Sequence, residues 1–186
     1  VLMEDGLKDA FSGESMGNTG ETVAVEHGIS RAESDKFSVR SHQLANNAWE
    51  EGWFEKEVFP VGSLTRDEGI RPGTNEEALS GLRAVFSEDG QVTAGNASQV
   101  SDGASAVLIA SEEAAEELGL PVLAKIVEYA TSGVEASRVM SAPIPTVRML
   151  LEKTGRSIGE VDIIEHNEAF ASASCAIRKS LEVPEV

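Results

Sequence analysis

The chain has 186 residues, of which 41% are hydrophobic and 25% charged, a balance that suits a folded globular protein and excludes disorder. Its 15 basic and 32 acidic residues leave a formal charge of −17, a field that repels nucleic acid and anionic membranes. No apolar run reaches the ~20 residues of a membrane span, no signal-peptide pattern stands at the start, and a single cysteine, Cys175, fits a reducing, cytoplasmic setting.

In chain order, Asn18 with Glu21 predicts a helix through Val23 and Val25 that stops at Gly28. Ser30 with Glu33 opens a second helix, with Phe37, Ser41, Leu44, Ala45, Ala48 and Trp49 on one face and its end at Gly52. Trp53 to Val61 reads as a short extended piece, and residues 62–75 as a surface loop rich in glycine. Thr74 with Glu77 caps a short helix carrying Leu79 and Leu82. Val92 to Gly95 reads as extended, and Ser105 to Ala110 as a buried strand. An acidic helix then runs from Ser111 to Gly119, and Val122 to Tyr129 reads as another strand. Pro145 sits in the first turn of a helix bearing Val147, Leu150 and Leu151 and ended by Gly155. Ser157 with Glu160 caps a brief turn, Val161 to Ile164 is a strand, and Glu168 to Leu181 an apolar helix. Strands alternating with helices at this spacing imply an α/β sheet with covered faces.

The charge has two competing explanations, an acidic face for a partner or a whole-surface adaptation to high salt. The acids are scattered rather than gathered in a tail, and arginines outnumber lysines, which favours the second. His27, His42 and His166 lie on separate elements without metal-ligand spacing, so no metal site is expected. His27 and His42 read as solvated helix residues, and Cys175 as a small buried hydrophobe. Two segments carry more. In Val92-Thr93-Ala94-Gly95-Asn96-Ala97-Ser98 the small residues let a backbone or a slender ligand pass close to the main chain. In His166-Asn167-Glu168-Ala169-Phe170-Ala171 a strand gives way to a helix, and Asn167 is either the helix cap or a polar amide facing a crevice. Spacing alone leaves those two readings even.

These two segments together closely resemble the thiolase family, the acetyl-CoA acetyltransferases and 3-ketoacyl-CoA thiolases. Asp9-Ala10-Phe11, Met16-Gly17, Ile29-Ser30-Arg31, Asp67 to Pro72, Leu82 to Phe86 and Pro143-Ile144-Pro145 agree in the same order. The resemblance implies a thiolase-like α/β fold of layered α/β/α halves, present here as an incomplete portion with a helical loop domain. Residues 1–100 would be the loop domain that receives coenzyme A, 101–120 the last strand and helix of the first half, and 121–186 the opening of the second. Val1 and Val186 are then expected to be the ends of a middle segment, and the parent a homodimer or homotetramer in fatty-acid and other lipid metabolism.

The implied chemistry is acyl transfer between thioesters through an acyl-cysteine intermediate. The nucleophilic cysteine would precede Val1, and the activating histidine and second cysteine would follow Val186. Catalytic Asn167 would hold a water at the thioester oxygen. Arg71 would meet the phosphates of coenzyme A, Leu7, Leu82 and Phe86 would border its adenine and ribose, and Ala94 and Ser98 would flank the pantetheine arm. Met16, Met140 and Phe170 would border the acyl end. No cofactor is implied, because coenzyme A is the substrate. Ser15 and Ala78 depart from the pattern of many members, which leaves acyl length and one polar contact open. The alternatives are a non-enzymatic module of the same fold that binds acyl-CoA or lipid, and an acidic interaction protein with a coincidental motif.

Overall fold

Ser15 has an extended backbone and its side chain accepts a hydrogen bond from the Gly17 amide at 3.3 Å, so the first long helix begins there rather than at Asn18. In the computed structural model, which describes residues 2–184, this helix is α1 (Met16–His27). It ends where Gly28 turns left-handed at φ 59°, as the glycine predicts. The Ser30–Glu33 capping box forms in full and opens α2 (Arg31–Glu50). The short α3 (Glu76–Ser80) is capped by Asn75, whose Oδ1 accepts from the Ala78 amide at 2.9 Å, one residue later than the Thr74 cap expected. Then come α4 (Glu112–Glu117), α5 (Pro143–Thr154) and α6 (Ala171–Ser180). Trp53 to Glu57 forms successive turns after α2 instead of an extended piece.

The core forms around α6. Ala171 to Ile177 are all buried, because α1 packs on one flank of this helix and α2 on another. Small side chains permit the close approach: Ser172 Oγ donates to the Gly20 carbonyl of α1 at 2.9 Å. A Cβ on Gly20 would come within 2.9 Å of the Phe170 ring. Val23, Ala24, Ile29, Val92, Phe170 and Ala176 fill the main cluster, and Ile144, Ile177 and Leu181 join α5 to the far end of α6. No helix among the described residues is long and apolar enough to cross a membrane.

The strands expected at 105–110, 122–129 and 161–164 do not form. Among the described residues β pairing is confined to isolated bridges, and none involves these segments. Val107 is 85% and Leu123 97% exposed. A strand is stable only when a neighbour some 4.8 Å away accepts and donates its backbone hydrogen bonds. These segments carry strand-like sequence without such a neighbour. Within the expected 92–95 run, Thr93 bridges Ala84 and the Val92 carbonyl accepts from Val85 N–H at 3.0 Å, and a turn follows from Ala94.

A Cβ at Gly17 would lie 2.2 Å from the Phe86 ring. Gly17→Ala is therefore expected to displace that ring and to cost about 1–3 kcal/mol. Urea unfolding measures this, and an unchanged midpoint would contradict the packing.

Candidate functional site

The two segments singled out by sequence lie against each other. Ala97 and Phe170 form an antiparallel bridge, flanked by Ser98 N–H donating to the Ala169 carbonyl and Ala171 N–H to the Asn96 carbonyl, each at 2.9 Å. The turn at 93–97 closes on itself through Ala97 N–H to the Thr93 carbonyl at 3.1 Å. Asn96 is buried and uses both ends of its amide. Its Oδ1 accepts from Thr93 N–H at 2.8 Å, while its Nδ2 donates to Asp35 Oδ1 at 2.9 Å and to the Gln91 carbonyl at 3.0 Å. Asp35, buried on α2, is paired in turn with Arg31 Nε at 2.7 Å. Arg31 also donates to the Leu79 and Leu82 carbonyls, at 2.5 and 3.0 Å. From α1, the Glu21 carboxylate takes the Gln91 and Val92 amides at 2.8 to 3.0 Å. Glu21 thus serves the turn and not a helix start.

This scaffold leaves the outer face of the turn open. A cleft of about 320 Å³ lies between that face, α2 and the loop at 69–71. Arg71, Ala94 and Ser98 line it, together with Ser41 and His42 of α2 and with Glu168. Leu82 lies behind the turn, where its Cδ1 would be 2.7 Å from a Cβ on Gly95. Phe86 and Phe170 meet edge to face at 6.3 Å, and Met140 packs on the same cluster. Met16 N–H donates to the Leu7 carbonyl at 2.9 Å, which ties those two half-buried residues together. None of these six lines the cleft.

Asn167 is exposed and does not cap α6, whose preceding residue is Phe170. Its backbone carbonyl accepts from Ala169 N–H at 3.0 Å, so the chain turns once more before the helix starts. Of the two readings left even by spacing, the helix cap is thereby removed. Cys175 is buried and stands outside the cleft.

Both histidines dismissed as solvated are partly buried and bonded. His27 Nδ1 meets Ser180 Oγ at 3.0 Å. His42 Nδ1 accepts the Arg71 amide at 3.2 Å. Burial, and then the positive charge of Arg71, hold the His42 imidazole below its ordinary value of 6.5, so it is neutral at pH 7. Sequence reasoning named Arg31 and Asn96 only within longer segments and missed the bonds they make, and it missed Asp35 altogether. The spacing of Arg31 and Asp35, four apart on one helix, was the available signal. The cleft offers one guanidinium, the His42 imidazole, the Glu168 carboxylate, hydroxyls, side-chain amides and backbone groups.

Asn96→Ala removes the partner of a buried carboxylate and of a buried amide. It is expected to destabilise the chain by about 2–4 kcal/mol in urea unfolding, more than a surface substitution could.

Comparison with known proteins gives a consistent picture. The thiolase N-terminal domain family model matches residues 1–113, and the thiolase C-terminal domain model matches residues 120–186. An acetyl-CoA acetyltransferase of Paracoccus denitrificans is 44% identical over 97% of this chain and 48% of its own length. A probable acetyl-CoA acyltransferase of Staphylococcus aureus is 39% identical over 98% of this chain and 49% of its own. Among solved structures, human mitochondrial 3-ketoacyl-CoA thiolase in complex with CoA superposes with a TM-score of 0.91 and 41% identity, covering 97% of this chain and 47% of that one. The Bacillus anthracis acetyl-CoA acetyltransferase gives 0.90 and 38%, covering 96% of this chain and 47% of that one. The thiolase-like fold is thus shown, and the chain spans about half the length of the curated relatives it matches.

Proposed function

The chain belongs to the thiolase family, and from that premise we propose that it is part of an acyltransferase that condenses or cleaves acyl-CoA thioesters. Its own contribution is to hold coenzyme A. The observation that carries this reading is the cleft in which Arg71 and the small residues Ala94 and Ser98 face one open passage. A guanidinium presented on the cleft suits phosphate oxygens. Two exposed short side chains on a rigid turn admit a thin, flexible arm that a longer side chain would block.

The chemistry divides accordingly. A thiolate attacks the acyl carbonyl, the C–S bond to coenzyme A breaks, and the acyl group rests on the enzyme until a second thiol or acyl-CoA takes it. The single cysteine here is buried away from the cleft, so the nucleophile belongs to another part of the full protein. Asn167 is exposed beside cleft-lining Glu168, and in this reading its amide would hold a water at the thioester oxygen. Leu7, Leu82 and Phe86 would border the nucleotide end, and Met16, Met140 and Phe170 the acyl end, once the remaining elements are in place. The division into a loop domain at 1–100, a closing strand and helix at 101–120 and a second half from 121 belongs to this proposal, as does assembly into a homodimer or homotetramer.

Calorimetry with coenzyme A tests the binding role. Arg71→Ala is expected to weaken binding about 10- to 100-fold, the range for a charge-assisted bond to an anion. Unchanged affinity would remove Arg71 from the site. In a thiolysis assay the 186-residue chain is expected to be silent, whereas in the full-length protein Asn167→Ala should lower turnover about 10²- to 10³-fold. Binding without turnover in the full-length protein would instead identify a non-enzymatic acyl-CoA module.

A further inference from the structure

We propose that His42 is a positioning residue that sets where Arg71 stands on the cleft, by accepting the Arg71 backbone N–H. The inference rests on the coenzyme A reading and concerns how α2 holds the loop that carries the phosphate-binding cation. That loop is tied to α2 at two levels. Near its start, Arg66 donates to Asn46 Oδ1 at 3.2 Å, pairs with Glu50 at 3.5 Å and lies 5.4 Å over the Trp49 ring. Trp49 Nε1 also donates to Asp67 at 3.3 Å. These contacts are on the surface and end at Asp67. Four residues later, Arg71 N–H donates to His42 Nδ1 at 3.2 Å, which ties the backbone of Arg71 to α2, while its carbonyl accepts from Thr74 N–H at 3.0 Å within the loop itself. Between the two levels the Gln99 side chain presses on Gly69, where a Cβ would come within 1.7 Å of it.

The role depends on one lone pair. Neutral imidazole can accept at Nδ1 when the proton sits on Nε2, whereas imidazolium has donors at both nitrogens and nothing to accept with. Protonation would also set a second positive charge beside Arg71. The charged groups on the cleft that His42 shares are Arg71 and Glu168. Because the folded value lies below 6.5, the hydrogen bond is fully present above that pH and is lost as pH falls through the lowered value.

Two substitutions separate the acceptor from mere bulk. Glutamine can present an amide oxygen where Nδ1 stands, and leucine fills space without accepting. On the full chain, hydrogen exchange of the 66–74 segment is followed by mass spectrometry and coenzyme A affinity by calorimetry, at pH 7.5 and over a descending pH series. His42→Leu is expected to speed exchange of this loop and weaken coenzyme A about 3- to 10-fold, the range of one hydrogen bond. His42→Gln should stay within about twofold of the parent in both. The parent should drift toward the leucine behaviour as pH falls, while the glutamine variant should not. Equal behaviour of the two variants, or an unchanged loop in His42→Leu, overturns the proposal. If His42→Leu fails to fold, the pH series on the parent and on His42→Gln decides it, and loss of the difference between those two is the overturning result. Should the parent fail to bind coenzyme A while loop exchange still follows the acceptor, the positioning role stands and the coenzyme A reading falls.

Discussion

The bridge between Ala97 and Phe170 is the contact on which the rest of the molecule depends. It joins a turn near the middle of the chain to the entry of α6, and its two flanking amide–carbonyl bonds leave little freedom in their relative position. Everything that meets the cleft is referred to this junction. Ala94 and Ser98 are displayed by the turn, Glu168 by the segment before α6, and Arg71 by a loop laid against Gln99 at the end of the same turn. The central helix cannot shift along α1 either, since Ser172 is bonded to the Gly20 carbonyl and Phe170 covers the bare backbone there.

Two helices contribute polar groups to secure one turn. Glu21 of α1 takes two amides, Asp35 of α2 takes the Asn96 amide, and Arg31 closes the set on the carbonyls at 79 and 82. Buried polar groups are costly unless every partner is supplied, and a turn with no regular pairing has many to satisfy. The reward is geometric: a hydrogen-bonded set of this kind has one arrangement, whereas an apolar patch has several of similar energy. The buried residues of α2 are therefore Ser34, Asp35, Ser38 and Ala48, and of the apolar stripe its sequence offers, Ala48 is buried and Phe37 packs on the main cluster. Leu44, counted on that stripe, is largely exposed.

Local chemistry was legible in the sequence to the extent that it is local. The capping boxes at Ser30 and Ser157 and the stop glycines at 28 and 155 all act within four residues, and all stand where the residues predict. The caps at Ser15 and Asn75 were missed because a nearby Asn or Thr offered a similar pattern, and which one is used depends on what the chain does before the helix. Strand sequences at 105–110 and 122–129 were read by composition, but a strand is a property of a pair, and no partner lies among the described residues. At the cleft, the small-residue turn could be found from sequence because glycine and alanine mark close approach. His42 could not, since a lone histidine on a helix says nothing about an amide 29 residues away.

The acidic body carries a kinetic consequence for any multiply charged anion that seeks the cleft. With a net charge of −17, the long-range field opposes approach, while Arg71 attracts only at close quarters. At 0.1 M salt the field reaches about 10 Å, and at 1 M about 3 Å. Adding electrolyte therefore lowers the outer barrier before it weakens the inner contact. Capture by this chain should quicken with ionic strength, the reverse of what a basic phosphate-binding protein shows.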